Sequence, residues 1–460
     1  MFFVDRVQEM SVLQTAYEKP ESSLFVLYGR RRVGKTTLLS EFCKEKPSLY
    51  YLATEESIQA NRNAFRLMAA DFLQNDLLKS ATDASWEMIF SVLLSAQENK
   101  KLVIVLDEFQ YLGKADKAFP SVFQKIWDTI LKNKNVEVIL CGSLVHMMME
   151  QTLSYSSPLY GRRTGQIRLK QIPYAYYDRF FPDLDEQTRI LYYAVTGGVP
   201  KYIELFHPCA DIDTAILQNV MTQSFLYEEP EFLLRQEVQD VGSYFSIIRA
   251  IASGNMRISD IASALSLPAT SLSKPLKTLC DLDILEREVP PTEKNIETSK
   301  KGQYRIKDNF LAFWFRFVYP MRSFIESDHP EIAMTKLKTG FIPNHVGYVY
   351  EDICRQKMWE LNAQGKLPFL FDRVGRWWGG KDTEIDIVAI DTTDRSKIIF
   401  GECKFHQNVP MQLSELHQLK EKAAVVPWGN ANRDEYFALF CISGYSEDLQ
   451  QLAQEDSHLL

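Results

Sequence analysis

The stretch G-R-R-R-V-G-K-T-T, residues 29 to 37, sets two glycines with four residues between them ahead of a lysine and two hydroxyls. Those residue types at that spacing can wrap a triphosphate. Gly29 and Gly34 let the backbone turn tightly with N–H groups pointing inward, Lys35 can reach the β- and γ-phosphates, and Thr36 can offer its hydroxyl to Mg²⁺. The candidate cofactor-binding set is Gly29, Arg30, Arg31, Arg32, Val33, Gly34, Lys35, Thr36 and Thr37, with Ser143 further along the chain. A second constellation is K-L-V-I-V-L-D-E-F, residues 101 to 109. Here Asp107 would hold Mg²⁺ through water, and Glu108 would orient or deprotonate an attacking water. A third is I-I-F-G-E-C-K-F, residues 398 to 405, where Glu402 and Lys404 interrupt an apolar run. Burying either charge is costly unless it is paired or holds a metal.

These residues need elements to position them. The apolar run L-F-V-L-Y, residues 24 to 28, precedes the glycine loop, and L-L-S-E-F follows it at helical spacing. A helix opening near Lys35 adds the positive end of its dipole to a bound anion. Val103 to Leu106 has the width of a buried parallel strand, with Asp107 at its carboxyl end. A third apolar run, V-E-V-I-L-C-G-S, ends in Ser143. That serine can sense the γ-phosphate, or it can simply cap the next helix. Further on, Y-G-R-R-T carries Arg162 and Arg163. One of them can serve as an arginine finger, within the chain or from a second copy, or the two can form surface ion pairs.

Taken with F-V-D-R at residues 3 to 6, I-L-C-G-S, S-P-L-Y-G-R-R-T and T-G-G-V-P-K-Y, these motifs resemble the prokaryotic, predominantly archaeal P-loop ATPase family. That family is related to the AAA and STAND ATPases. The resemblance implies ATP and Mg²⁺ as cofactors. It also implies a nucleotide contact from Gly198 and Pro200, although the same residues can form a plain helix-breaking turn. This chain has Gln110 where relatives often have proline, a departure from which little consequence is expected while Asp107 and Glu108 are retained.

Beyond residue 240, three short helical stretches and two strand-like stretches suggest a winged helix-turn-helix. Thr270, Ser271, Ser273, Lys274 and Lys277 could face a DNA groove, with Lys300 and Lys301 on the wing. Residues 240 to 308 hold ten Lys/Arg against nine Asp/Glu, less basic than a DNA reader normally is, so a structural or relay role stands beside DNA reading. The aromatic run F-L-A-F-W-F-R-F-V-Y-P reads as a buried connecting helix. After residue 345 the order helix, three strands, helix, strand, with Asp386 on the strand before E-C-K, resembles the PD-(D/E)-x-K nuclease superfamily. The resemblance implies Asp386 and Glu402 on a shared Mg²⁺, Lys404 activating water, and Glu351 as an additional carboxylate. An interstrand salt bridge is the plainer alternative.

The expected fold is α/β: a P-loop NTPase parallel sheet with a helical lid, a winged helix-turn-helix and a C-terminal restriction-endonuclease-like α/β domain. The expected boundaries are 1–168 for the ATPase core, 169–238 for the lid, 239–310 for the winged helix, 311–344 for a connecting segment and 345–460 for the nuclease-like domain. Candidate catalytic residues are Glu108, Arg163, Asp386, Glu402 and Lys404; candidate metal ligands are Thr36, Asp107, Asp386, Glu402 and Glu351. The net charge of -8 argues against a surface coated overall for nucleic acid. Seven dispersed cysteines without C-x-x-C fit a reducing cytoplasm, and no stretch is long and apolar enough to span a membrane. The expected partners are nucleotide, DNA or RNA, and a second copy through an arginine finger. The function read from these features is an ATP-driven switch for a nuclease-like domain. Its alternatives are a STAND-like signalling or scaffold ATPase, or a DNA-binding regulator with an inactive nuclease fold.

Overall fold

The apolar run before the glycine loop forms β1, Ser23–Tyr28, with all six residues buried. In this computed structural model, which describes residues 3–95, 100–379, 383–429 and 432–460, β1 joins four further strands. They are β2 Ser48–Leu52, β3 Leu102–Asp107, β4 Val136–Gly142 and β5 Gly165–Arg168. The sheet order is β2-β3-β4-β1-β5 and every neighbouring pair is parallel. A parallel sheet covered on both faces explains why β1, β3 and β4 read as continuous apolar runs rather than alternating ones. On one face, Phe25, Leu27, Val103, Val105 and Ile139 pack with Leu38, Leu39 and Phe42 of the helix Lys35–Cys43. Another cluster is aromatic, with Phe65, Trp86, Phe90, Phe109, Phe119 and Phe123 in mutual ring contact. Because β4 lies between β1 and β3, the glycine loop, Asp107 and Ser143 come to one carboxyl edge of the sheet. Ligands of open parallel sheets bind at that edge.

The chain gathers into two compact units. The first comprises Met1–Phe180, Gly198–Glu204 and Arg235–Gln239 and contains this sheet. The second comprises Phe181–Gly197, Leu205–Leu234 and Asp240–Leu460.

In the second unit, the helices Val241–Ala252, Ile258–Leu265 and Ala269–Asp281 precede an antiparallel hairpin of β6, Leu285–Glu288, and β7, Gln303–Ile306. Ile247, Ile248, Ile251, Ile261, Leu272, Leu276 and Leu279 are buried on these helices, as their helical spacing requires. Phe310, Phe313, Trp314 and Phe315 are buried too, so the aromatic run is core rather than a free stacking surface. The helix Gly347–Ala363 follows. Then come β8 Arg373–Gly379, β9 Thr383–Ile390 and β10 Lys397–Lys404, the helix Leu413–Ala423, and β11 Asp434–Cys441. This sheet has the order β11-β10-β9-β8, with β10 and β11 parallel and the other pairs antiparallel.

The hairpin is fastened to this C-terminal sheet by charge. Arg305 of β7 pairs with Glu286, Glu288 and, on the helix Gly347–Ala363, Asp352. Arg376 of β8 reaches Glu288 at 3.5 Å. The loop between the hairpin strands is also engaged: Arg373 donates to the carbonyl oxygens of Pro291 and Glu293, and the Trp377 indole donates to the Thr292 hydroxyl. Lys301 pairs with Glu293 at 2.8 Å. The start of the loop, Pro291 to Glu293, is therefore bound to β8 and Lys301 is paired with Glu293, while residues 294–298 and Lys300 are exposed. No helix among the described residues is long and apolar enough to cross a membrane.

One buried charge in the first unit has a measurable consequence. Glu137 of β4 is fully buried, and neither carboxylate oxygen has a hydrogen-bond donor among the described residues. Burial pushes its pKa up to about 8, against the opposing pull of Lys101 and Lys46. The folded chain thus keeps a proton that the unfolded chain loses near pH 4.5, so stability falls as pH rises from there through about 8. Glu137→Gln should remove this dependence. Urea midpoints at pH 5 and pH 8.5 check it: wild type should lose on the order of a few kcal/mol more than the variant between the two conditions. Equal losses would contradict the assignment.

Candidate nucleotide site and C-terminal acidic site

The loop after β1 is shaped by backbone that ordinary residues avoid. Gly34 has φ 94° and Arg32 φ 70°. A Cβ on Gly29 would lie 2.3 Å from the Leu169 carbonyl oxygen, so only glycine fits there. Lys35 begins the following helix and is buried, with Nζ donating to the carbonyl oxygens of Gly29 and Arg30 at 2.8 Å each. Burial lowers its pKa, while Cys141, Glu108 and Asp107 push it back up. The desolvated ammonium is thus folded onto its own loop and compensated by two carbonyl oxygens. Thr36 is exposed at the first helical turn, and Val33 is buried. Arg31 donates to the Tyr111 hydroxyl at 3.1 Å.

Asp107 is buried at the tip of β3 and accepts from the Tyr50 hydroxyl and, at 2.9 Å, from the Glu108 N–H. Thr36 lies near enough to the same phenol to lower its pKa slightly, so Tyr50 neighbours both residues expected to attend Mg²⁺. Burial and the Asp107 carboxylate hold that phenol well above its ordinary pKa, and it stays a donor. Two protein oxygens suit Mg²⁺, which keeps several waters and takes its other ligands from substrate phosphates.

Glu108 sits at φ 53°, an uncommon backbone conformation for a glutamate. Its carboxylate accepts from the Ser143 hydroxyl at 2.8 and 2.9 Å, from the Ser143 N–H at 3.3 Å and from the Gln110 amide. Ser143 therefore bonds the candidate base rather than capping the next helix. That cap comes from Glu237, which accepts from the N–H groups of Val145 and His146. Gln110, expected to matter little, is fully buried against Glu108.

Three further features surround the loop. Pro200 approaches it, since a Cβ on Gly34 would lie 3.8 Å from the Pro200 ring. Gly198 accepts from the Ile172 N–H at 2.8 Å and has no room for a side chain. Arg6 had no assigned role, yet it is buried and donates to the carbonyl oxygens of Val33 and Lys170 at 2.9 and 2.8 Å. Its partner Val33 belongs to the glycine loop, and F-V-D-R was visible as a motif without revealing that contact. Arg162 pairs with Asp128 at 3.2 Å, as a surface bridge. Arg163 lies over the Tyr160 ring and donates to the Leu153 carbonyl oxygen.

In the second unit, β9 and β10 bring Asp386 and Glu402 to neighbouring positions. The antiparallel pairing of Gly401 with Ile387 places Glu402 beside Asp386. Asp386 accepts from the Cys403 N–H at 2.8 Å. Glu402 is buried and accepts from Lys404 at 2.6 Å and from Lys422 at 3.0 Å. Lys422 projects from the helix Leu413–Ala423, and nothing in its local spacing pointed to Glu402. Burial raises the Asp386 pKa first and the Glu402 charge raises it further. Glu351 is pushed up to about 8 by burial and then by Asp386, against Arg355 and Arg376. Arg355 lies 3.7 Å from Glu351 and also donates to the Asp386 carbonyl oxygen at 3.2 Å. Among the described residues, no group of three acidic, histidine or cysteine side chains is arranged as a metal cage, while Glu351 lies close enough to Asp386 for that carboxylate to raise its pKa.

The family described as an ATPase domain predominantly from Archaea matches residues 3–206, and one described as archaeal and bacterial proteins of unknown function matches residues 314–422. A Walker-type ATPase of Pyrococcus abyssi is similar in fold, with a TM-score of 0.52 and 23% identity over 68% of this chain and 96% of that one. An uncharacterized ATP-binding protein of Methanocaldococcus jannaschii is 41% identical over 46 residues, 10% of this chain and 78% of that protein. A second, uncharacterized protein of M. jannaschii is 34% identical over 439 residues, 95% of each chain. Identity of that extent places the chain in one family with that M. jannaschii protein, with an archaeal-type ATPase domain over residues 3–206, where the glycine loop, an acidic strand tip and a polar strand tip share one sheet edge, and the second matched region over residues 314–422.

Proposed function

We propose that this protein binds and hydrolyses ATP, and that the nucleotide state switches a C-terminal nuclease-like domain. One observation carries the first part. Lys35, Asp107, Glu108 and Ser143 share the carboxyl edge of one parallel sheet, with Glu108 already held by Ser143 and Gln110. In this reading the loop N–H groups of residues 29–37 take the phosphates, and Lys35 leaves its loop carbonyls for the β- and γ-phosphates. Glu108, released by Ser143 and Gln110, accepts a proton from the water that attacks the γ-phosphorus as the bond to the ADP oxygen breaks. Thr36 and Asp107 would hold Mg²⁺, which neutralises charge on the phosphates. Ser143 reports whether the γ-phosphate is present. Arg163 is the candidate finger, within the chain or toward a second copy, since Arg162 is paired with Asp128.

The proposed division keeps the boundaries 1–168, 169–238, 239–310, 311–344 and 345–460. The three helices and hairpin support a winged helix for 239–310. There Thr270, Ser271, Ser273, Lys274 and Lys277 are exposed and remain the surface for DNA, with Lys300 exposed on the wing and Lys301 paired with Glu293. The helix–three strands–helix–strand order, with Asp386, Glu402 and Lys404 together, supports a PD-(D/E)-x-K-like domain acting on DNA or RNA. A cytoplasmic setting fits the seven free cysteines. The two lysines on Glu402 favour a second reading as well, a STAND-like scaffold whose nuclease fold cleaves nothing.

Lys35→Ala should abolish ATP binding in a calorimetric titration. Glu108→Gln should bind ATP normally and lower turnover by on the order of 10²–10⁴. Unchanged turnover in Glu108→Gln would refute the base assignment. Divalent-dependent cleavage of DNA or RNA should be lost in Asp386→Ala and in Lys404→Ala. Cleavage surviving both substitutions rejects the nuclease site, and an intact wild type that cleaves neither polymer favours the scaffold.

A further inference from the structure

We propose that Lys422 is a displaceable cation of the C-terminal site. It neutralises Glu402 while no divalent cation is bound, and it turns to a phosphate group of the substrate once such a cation takes its place. The proposal rests on the nuclease-like reading of Asp386, Glu402 and Lys404.

Glu402 is buried and must be compensated, since an isolated carboxylate in the interior is costly. Two ammonium groups do this, from different elements. Lys404 sits two residues along the same strand and reaches Glu402 at 2.6 Å. Lys422 arrives from the last turn of the helix Leu413–Ala423 and reaches both Glu402 oxygens, at 3.0 and 3.4 Å. Its side chain is 32% exposed, whereas that of Glu402 is 6% exposed. Lys422 can therefore swing into solvent on its four-carbon stem, while Glu402 stays.

The charges of the set balance without any metal: Asp386 and Glu402 against Lys404 and Lys422. A divalent cation added to that quartet leaves two positive charges in excess at a half-buried place. No group of three acidic, histidine or cysteine side chains among the described residues is arranged to hold it, and the nearby Glu351, pushed up to about 8, faces Arg355 at 3.7 Å. A Mg²⁺-type ion commonly takes one or two carboxylates and completes its shell with water and substrate phosphate. A phosphodiester supplies both the missing ligand and the missing negative charge, and a freed lysine is the natural partner of its other oxygen. Cation and phosphate backbone should consequently load together, each strengthening the other by the same factor.

The test uses nucleotide-free, full-length protein and Mn²⁺ uptake followed by electron paramagnetic resonance, with Asp386→Asn defining the uptake that belongs to this site. In wild type, a cleavage-resistant phosphorothioate DNA duplex should tighten Asp386-dependent Mn²⁺ binding about tenfold. Lys422→Met should bind Mn²⁺ about tenfold more tightly than wild type without DNA, and DNA should no longer add to it. Lys422→Arg should behave like wild type, showing that the charge matters and that the helix is intact. Equal Mn²⁺ affinity in wild type and Lys422→Met overturns the proposal and leaves the nuclease-like site standing. A wild type whose Mn²⁺ affinity ignores DNA overturns the coupled loading. Absence of Asp386-dependent uptake from wild type, Lys422→Met and Lys422→Arg alike overturns both the proposal and the reading beneath it.

Discussion

An ionised side chain taken out of water must find an opposite charge or a set of dipoles, and this requirement organises the functional places of the molecule. Lys35 meets it with two carbonyl oxygens of its own loop. Asp107 meets it with a phenol and a backbone N–H, and Glu108 with a serine and an amide. Glu402 meets it with two lysines. Each of these partners is weaker or more mobile than a triphosphate or a divalent cation. In the proposed function, each of these partners gives way to the triphosphate or the cation. Glu137 shows the other outcome: with no donor at hand, it keeps a proton instead.

The sheet makes such places possible by geometry alone. Placing β4 between β1 and β3 brings three strand tips to one edge, so residues from distant parts of the chain meet without a dedicated scaffold. The C-terminal sheet repeats the device at smaller scale, with Asp386 and Glu402 on adjacent antiparallel strands. In both sheets the acidic groups sit where a buried run ends, which is where backbone can still supply N–H donors. A switch built on these groups works by exchanging partners, and Ser143 is well placed for it because its hydroxyl and its amide both serve Glu108.

Much of this was legible in the residues because it is local. The glycine loop, the helix opening at Lys35, and Asp107 at the end of an apolar run depend on neighbours within about ten positions, and their spacing reports them directly. The E-x-K pair was legible for the same reason, since side chains two apart on a strand share a face. What escaped reading is long-range. Arg6 reaches Val33 across 27 positions, Glu237 caps a helix 92 positions earlier, and Lys422 meets Glu402 only because a helix packs over β10. Gln110 looked neutral because no sequence pattern states that its amide turns inward to Glu108. The hairpin shows a subtler gap. Its strands were recognisable, but its loop carries ordinary polar residues, and only packing reveals that Thr292 and Glu293 at its start bind β8.

The account stands on a triphosphate lodging in the loop that Lys35 now fills with its own ammonium. Equilibrium dialysis of the folded, full-length chain against labelled ATP and magnesium measures that step without relying on turnover or on any partner. Saturable uptake approaching one nucleotide per chain, lost when Lys35 is replaced, is the predicted result. Folded protein that takes up no nucleotide at any concentration tested would contradict the reading of this loop and of the switch built upon it.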